Sequence, residues 1–252
     1  MSAKPETRLC HYTNDAIHVR DKNLVEDLIG KVDFTESLYF LIFGRIPTRA
    51  ERRVVDAVLV TLMEHGMTPS AIATRMVYGS GPEALQAGVA AGLMAVASQF
   101  VGTMEPAAHN LRALVAAGDG MNEAARRMAD EYRAAKKPMP GFGHHLHKPD
   151  DPRTPKLLAL AEAEGVPGKH IKALRTLSVE VDRAAGRHIT INATGAIAAI
   201  LSEIGVEPEI MRGLAVISRS AGLVAHIREE QKNPAMRTIW ETVEEAVPYR
   251  RD

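Results

Sequence analysis

Hydrophobic positions along most of the chain recur with helical spacing. Between Arg49 and Glu64 the apolar residues fall at i, i+3/i+4 and i+7/i+8, which places them on one face of a helix. Thr48 precedes this segment and Glu51 lies three residues further on, the pattern of a capping box at a helix start. The sequence therefore predicts a helix here, with its apolar face formed by Val54, Val55, Val58, Leu59, Leu62 and Met63.

The same spacing predicts helices over most of the remaining chain. The stretch 84–97 is rich in alanine and glycine, whose small side chains allow close packing, so we expect a central, buried helix there. Strand-like alternation is confined to the short stretch 188–192. The pattern predicts an all-α fold, with further helices at 70–78, 82–101, 122–137, 154–165, 169–186, 194–205 and 207–232.

Composition narrows the class of protein. The chain has 252 residues and a formal net charge of +0, so no global field favours nucleic acid or an anionic membrane. Its single cysteine, Cys10, excludes an intrachain disulfide, which fits a reducing compartment. We find no signal-peptide pattern and no apolar run that would span a membrane, and we expect a cytoplasmic protein.

The segment 141–153 carries the most unusual chemistry. Gly141 and Gly143 allow the backbone to approach a ligand closely. Three histidines, Lys148 and Arg153 then supply cationic donors, and an arginine can hold a carboxylate through two parallel hydrogen bonds. This favours a site for a small dicarboxylate or a phosphate-bearing ligand. The alternative is a solvated loop with scattered charges.

The same segment also contains possible metal ligands, namely His144, His145, His147 and Asp150. Their spacing matches no standard metal site, and adjacent histidines point apart on most backbones. We therefore expect no metal.

Gly141-Phe142-Gly143-His144 followed by Asp151-Pro152-Arg153 resembles the GFGH…DPR signature of the citrate synthase superfamily. The resemblance implies that His144 polarises the keto oxygen of oxaloacetate and that Arg153 binds its carboxylate.

Three further motifs carry the resemblance over nearly the whole chain. The stretch 41–48 is similar to the family's L-x-x-G-x-x-P-T turn. Glu64-His65-Gly66 matches a segment with an oxaloacetate-binding histidine, which implies His65. The stretch 217–226 resembles the R-x-x-G-x-x-A-H helix, which implies that Arg219 binds the substrate carboxylate. Arg237 lies near the family's final arginine, which reaches across a dimer interface. His65 and His226 are equally well explained as packing histidines.

The sequence departs from the family pattern at two catalytic positions. In Gly102-Thr103-Met104-Glu105, Glu105 stands where the family has a histidine, and His109 is a possible displaced substitute. Thr194 stands where the family has its aspartate base, and a threonine hydroxyl cannot act as a general base near neutral pH. Equally good alternatives are a carboxylate favoured by a helix N-terminus for Glu105 and a helix N-cap for Thr194.

The chain is similar to compact citryl-CoA lyase-type members of the family. The resemblance implies an all-α homodimer, with one domain over residues 1–252 that includes a smaller helical subdomain at about 138–212. It also implies an acyl-CoA C–C lyase or transferase, with His144, Glu105 and Thr194 at the reacting atoms. A coenzyme A thioester would be the co-substrate, held by Gly141, Gly143, Lys148 and Arg187.

Two other functions remain open on the same fold. Without a carboxylate base, the protein can act on a 2-oxo acid alone, as an oxaloacetate decarboxylase or a hydrolase-type enzyme. It can also be a non-catalytic protein that binds a dicarboxylate or coenzyme A.

Overall fold

The computed structural model describes residues 4–99 and 101–251 and confirms the predicted all-α class. The chain divides into two compact units, Met1–Asp56 and Ala57–Asp252. The predicted subdomain at 138–212 lies within the second unit and stays a prediction. The helices are α1 (Phe34–Phe43), α2 (Arg49–Leu62), α3 (Pro69–Ser80), α4 (Leu85–Met94), α5 (Met104–Ala116), α6 (Met121–Ala134), α7 (Arg153–Ala163), α8 (Lys169–Ala185), α9 (Ala193–Glu203), α10 (Pro208–Lys232) and α11 (Met236–Ala246).

The first unit begins with a small antiparallel sheet that the sequence pattern did not predict. Its strands β1 (Cys10–Tyr12), β2 (Ile17–Val19) and β3 (Lys22–Asn23) pair in chain order. Strands of two or three residues are too short to show alternation. Helix α1 was missed as well, and it begins at a capping box in which Asp33 and Glu36 bond each other's backbone N–H.

The predicted amphipathic helix forms as α2. The Glu51 backbone N–H donates to Thr48 Oγ1 over 3.3 Å, and the Thr48 N–H donates to the Glu51 carboxylate over 2.8 Å, so the capping box is confirmed. The predicted face is at most 5% exposed at Val54, Val55, Val58, Leu59 and Leu62, whereas Met63 is 37% exposed. The apolar face is therefore confirmed except at its last predicted residue.

In the second unit, α9 is the buried centre. All residues of α9 except Thr194 are buried, which explains a composition with no charge before Glu203. Helices α5, α7 and α8 pack around it, α6 packs on α8, and α10 contacts α3, α4, α5 and α9. Helix α10 is long and apolar enough to span a membrane by length and composition, but half of its most apolar stretch is buried inside the protein.

The alanine- and glycine-rich helix is not central, contrary to our expectation. In α4 only Gly88 and Gly92 are buried, while Leu85 and Met94 at its ends are 41% and 74% exposed. A Cβ at Gly92 would lie 2.0 Å from Thr74 Oγ1, so these glycines let α4 lie directly on α3. Helix α4 also ends before the predicted limit, and residue 100 of that prediction lies outside the described residues.

A buried ionic cluster joins α3 to α10. Arg75 is 4% exposed, and its guanidinium donates to His226 Nδ1 over 3.0 Å and to Glu230 over 2.8 Å. Because His226 Nδ1 accepts this bond, Nε2 carries the ring proton and lies 3.0 Å from the carboxylate of Glu64. His226 therefore has a packing role, and the cluster anchors Glu64, the residue before His65, against α10.

Candidate functional site

The glycine-rich loop at 138–145 is bonded to the extended segment 190–192. The Gly143 N–H donates to the Thr190 carbonyl over 2.8 Å, and the Asn192 N–H donates to the Gly141 carbonyl over 3.1 Å. The Asn192 side-chain amide donates to the Gly143 carbonyl over 2.9 Å. The predicted extended stretch at 188–192 is confirmed where Ile191 forms a β-bridge with the loop. These bonds fix the backbone on both sides of the GFGH motif.

Gly141 and Gly195 bring the loop directly onto the first turn of α9. A Cβ at Gly195 would lie 2.4 Å from the Gly141 carbonyl oxygen, so no side chain fits between the two backbones. Gly141 has φ of +85°, a region that favours glycine. The close approach places the loop beside Thr194 and Asn192, so that all of them line one cleft.

The loop fixes the tautomer of His144. Its Nδ1 accepts backbone N–H bonds from Leu146 over 3.1 Å and from His147 over 2.9 Å. A ring nitrogen that accepts carries no proton, so neutral His144 is protonated at Nε2. Burial, together with nearby His147, lowers the pKa of His144 to about 4. At neutral pH His144 therefore presents a neutral N–H donor, as polarisation of a keto oxygen requires.

Arg153, the first residue of α7, is held by Asp151. Asp151 Oδ1 accepts from Arg153 Nε over 2.9 Å and Oδ2 accepts from Nη2 over 2.7 Å, while the Ala193 N–H donates to Oδ2 over 3.0 Å. Burial alone would raise the pKa of Asp151, but the Arg153 and Ala193 bonds outweigh it and lower the pKa to about 2. Asp151 therefore fixes the orientation of the Arg153 guanidinium. A quarter of the Arg153 side chain is exposed, and Arg153 lines the cleft.

Arg219 on α10 is a buried cation at the bottom of the same cleft. It is 6% exposed, and its Nη1 has no hydrogen-bond partner among the described residues. Burial lowers the pKa of Arg219, Glu64 raises it, and Arg153 lowers it again. A buried, unpaired guanidinium is costly, and an anionic ligand would satisfy it.

His65 meets the loop histidines from the turn that follows α2. Its Nε2 lies 3.4 Å from Nε2 of His147, and its ring centroid lies 5.7 Å from that of His144. The rings of His144 and His147 stack with centroids 4.4 Å apart. His65 therefore meets two imidazoles that lie about 80 positions later in the sequence, at one edge of the cleft.

One nitrogen from each of these three rings lies within 4.8 Å of the others, close enough to consider a shared metal ion. In the tautomer that the loop fixes, however, His144 presents an N–H rather than a lone pair at Nε2. A histidine ligand must offer a lone pair, so this loop conformation does not fit a metal at His144.

The cleft has a volume of about 1020 Å³, at the upper end of the roughly 300–1,000 Å³ typical of small-molecule sites. Backbone and apolar groups from Pro138 to Phe142 form one wall. Among the described residues that line it there is no aspartate or glutamate. The ionisable groups that line the cleft are His65, His144, His145, Arg153 and Arg219, so the cleft is suited to an anion.

The structure does not bring Glu105 to the cleft. Glu105 lies in the first turn of α5, and its Oε2 is 3.2 Å from Arg212 Nη2, while Thr103 and Pro106 on either side line the cleft. His109 is more than half exposed and lies 3.4 Å from Glu209. Each of the two candidates for the missing family histidine is therefore paired with another residue, away from the cleft.

Thr194 lines the cleft with its hydroxyl bonded on both sides. Its Oγ1 donates to Asn192 Oδ1 over 2.7 Å and lies 2.9 Å from Thr103 Oγ1. Asn192 Oδ1 also accepts from the Gly195 N–H, so the N-cap of α9 is Asn192 rather than Thr194. The alternative N-cap role for Thr194 is therefore wrong. Its one proton goes to Asn192, so Thr103 is the donor in the other bond.

The remaining predicted residues lie elsewhere. Gly141 and Gly143 line the cleft, but Lys148 and Arg187 are exposed and do not. Arg237 lies on α11 with 84% of its side chain exposed, and it pairs with Glu241 over 2.8 Å. Its predicted role needs a partner subunit and stays a prediction.

Sequence reasoning missed four residues that shape the site: His147, Asp151, Asn192 and Thr103. Asp151 and Asn192 were visible within the motifs, but their partners are set by tertiary contacts. His147 was considered only as a metal ligand. An aspartate two residues before a substrate arginine is a signal that could have identified Asp151.

The fold and cleft define an all-helical protein with a histidine–arginine site for a small anion. Residues 33–240, more than half of the chain, match the model of the citrate synthase family, C-terminal domain. The chain belongs to the citrate synthase family.

Similar proteins include several of this family. The structure of citryl-CoA lyase from Hydrogenobacter thermophilus is 33% identical with a TM-score of 0.88, covering 99% of this chain and 96% of that one. The ATP citrate lyase of Methanothrix soehngenii in complex with citrate and coenzyme A shares the fold at 18% identity, with a TM-score of 0.79 over 100% of this chain and 42% of that one. Putative citrate synthase 2 of Mycobacterium tuberculosis is 28% identical over 190 residues, 71% of this chain and 47% of its own length. The chain spans about half the length of the curated relatives it matches.

Proposed function

We propose that this protein makes or breaks a carbon–carbon bond between acetyl-CoA and a 2-oxo dicarboxylate such as oxaloacetate, as a citryl-CoA lyase does. The observation that carries the proposal is the buried Nη1 of Arg219, which has no hydrogen-bond partner among the described residues and lies in a cleft with Arg153 and the neutral N–H of His144. Two arginines match two carboxylates, and one N–H donor matches one keto oxygen.

In this proposal the arginines hold the carboxylates and His144 donates from Nε2 to the keto oxygen. As the C–C bond to the acetyl unit forms, negative charge grows on that oxygen and the His144 bond strengthens, which is how a fixed donor lowers the barrier. In the cleavage direction the same donor stabilises the oxygen as it becomes a carbonyl. The thioester would lie along the backbone from Pro138 to Gly143.

We also propose that two copies of the chain form a homodimer. The superfamily resemblance favours a homodimer, and exposed small residues on α4 are compatible with close packing against a second copy. Light scattering tests this, because a monomer at assay concentration would contradict it.

The decisive experiment supplies citryl-CoA to the purified protein and measures oxaloacetate with a malate dehydrogenase couple, together with the reverse reaction by mass spectrometry. We expect turnover in at least one direction. Arg219→Lys should weaken oxaloacetate binding and lower kcat/KM at least tenfold, because a lysine cannot make two parallel bonds. The matched control is Arg228→Lys, an exposed arginine nine residues later on α10. No turnover with intact oxaloacetate binding would refute the proposal.

A second candidate is decarboxylation of oxaloacetate without coenzyme A. It is favoured by the lack of a carboxylate among the described residues that line the cleft, because loss of CO₂ forms an enolate without removal of a C–H proton. Pyruvate formation from oxaloacetate alone, above the spontaneous rate and abolished by Arg219→Lys, would support it. Oxaloacetate that remains unchanged would exclude it.

A further inference from the structure

The proposed reaction requires a proton acceptor that the family's catalytic positions do not provide here. Cleavage moves one proton from a hydroxyl oxygen to the methyl carbon of acetyl-CoA. The Thr194 hydroxyl is bonded to Asn192, Glu105 is paired with Arg212, and the loop fixes His144 as a donor. Among the described lining residues, the remaining ionisable groups that can accept a proton are His65 and the exposed His145.

We propose that His65 is the acid/base group of this site and that His147 is the residue that positions it and shares its proton. This inference rests on the proposed function. The Nε2 atoms of the two rings lie 3.4 Å apart, with ring centroids separated by 5.5 Å. Two neutral imidazoles form a hydrogen bond when one ring donates and the other accepts, and catalytic hydrogen bonds are commonly long before substrate binds.

His147 contacts both substrate histidines at once. Its backbone N–H bonds to His144 Nδ1 over 2.9 Å, and its ring stacks on the His144 ring. Its side chain then reaches His65. The backbone therefore makes His144 a donor, while the imidazole of the same residue sets the protonation of His65.

We assign the proton of this contact to His65, which then donates from Nε2 to Nε2 of His147 and keeps the lone pair of Nδ1 as the acceptor. In cleavage, Nδ1 takes the hydroxyl proton of citryl-CoA, and the O–H electrons form the C=O bond of oxaloacetate. The C–C bond breaks and its electron pair goes to the α-carbon of the thioester as an enolate. The imidazolium then returns the proton to that carbon, giving acetyl-CoA, so atoms and charge balance.

Cationic side chains lie near the His65–His147 pair. His144 packs against both rings, and Arg153 and Arg219 line the same cleft. The acidic groups nearby are Glu64, which accepts the His65 backbone N–H over 2.7 Å and lies 3.0 Å from His226, and Asp151, which acts electrostatically on His144. A bound dianion neutralises the arginines, so oxaloacetate should increase the proton affinity of the His65–His147 pair.

Calorimetry tests this without turnover. Oxaloacetate is titrated into the full chain at one pH in two buffers of different ionisation enthalpy, which gives the number of protons taken up. We expect net uptake in the wild type, a loss of at least half of it in His147→Gln, and no change in the matched control His109→Gln. His109 is an exposed histidine on α5 that pairs with Glu209 and does not line the cleft. Wild-type uptake in His147→Gln would overturn the proposal.

Kinetics supplies the second test. His65→Gln should lower kcat by roughly 10²–10⁴-fold, the range for loss of a general acid–base group. His147→Gln should shift the acidic limb of the pH profile and lower kcat with little change in KM, since every such variant keeps the backbone N–H that holds His144. His147→Asn is a second variant in case one fails to fold, as judged by Tm. A wild-type pH profile in both variants would overturn the proposal.

The two tests separate the inference from the proposed function. If the wild type does not turn over citryl-CoA but proton uptake still depends on His147, the proposed function fails and the coupled pair stands. If turnover is present and neither variant changes it or the uptake, the pair is refuted and the function stands.

Discussion

Asp151, with no exposed side-chain surface, holds the guanidinium of Arg153 through two parallel hydrogen bonds. Asp151 thereby fixes the orientation of Arg153, the arginine proposed to bind a substrate carboxylate. We expect Asp151→Asn to lower the free energy of unfolding by about 2–3 kcal/mol at pH 7, the size expected for a carboxylate whose pKa falls to about 2 on folding. Oxaloacetate affinity should fall as well, and urea unfolding with binding calorimetry measures both changes.

The stability that the Asp151–Arg153 pair contributes should depend on pH. Because folding lowers the pKa of Asp151, its contribution is fully present above the unfolded value of about 3.9 and is lost as the pH falls through about 2. The difference in unfolding free energy between wild type and Asp151→Asn should therefore shrink as the pH falls from 5 towards 2. A difference that stays constant would contradict the assignment.

The backbone contact between Gly141 and Gly195 gives a packing prediction. Gly195→Ala places a Cβ 2.4 Å from the Gly141 carbonyl oxygen, and the loop must move. We expect a loss of roughly 1–3 kcal/mol, as for overpacking, together with weaker oxaloacetate binding. The control is Gly213→Ala on α10, where nothing lies within 4 Å and a helical alanine should be neutral or stabilising. Equal effects of the two changes would contradict the close contact.

His144 should remain a neutral donor well below neutral pH. Its folded pKa is lowered to about 4, so oxaloacetate affinity should show no change attributable to His144 between pH 8 and 5, and should change near pH 4. An unperturbed histidine would change near 6.5. Comparison of the wild type with His144→Gln, by titration at each pH, isolates this group. A difference between them that changes near pH 6.5 would show that the loop does not fix this tautomer in solution.

Glu105 tests the sequence-based assignment directly. Because it faces Arg212 and does not line the cleft, Glu105→Gln should change kcat by less than about threefold, far below the roughly 10²–10⁴-fold expected of a general acid or base. Steady-state kinetics measures this. A loss of a hundredfold or more would restore Glu105 as the acid/base candidate.

Helical periodicity predicted the elements that position the site, including α2, α7, α9 and α10, because each buries one face or is bounded by strong caps. It missed α1, α5 and α11, as well as the short sheet. Helix α1 is apolar on most sides, and α5 begins at Met104, within the segment 102–105 that we matched to the family's histidine turn.

The motifs placed His65, His144, Arg153 and Arg219 in one cleft, which the geometry confirms. They could not place Glu105, because one helical position decides whether a side chain faces the cleft or a neighbouring helix. They also could not reveal His147 as a partner of His65, because that contact joins residues 82 positions apart. Pairings across such distances depend on how the loop docks on α9.

The buried Nη1 of Arg219, which has no hydrogen-bond partner within the described part of the chain, has a consequence for the stability of the protein. A buried guanidinium nitrogen without such a partner keeps the native state less stable than the fold itself allows, a trade-off found where recognition requires a strained site. Arg219→Met should therefore raise Tm while abolishing dicarboxylate binding. In the wild type, oxaloacetate should raise Tm in proportion to the logarithm of its concentration above Kd. The lifetime of the folded protein would then increase with the concentration of the dicarboxylate that it binds.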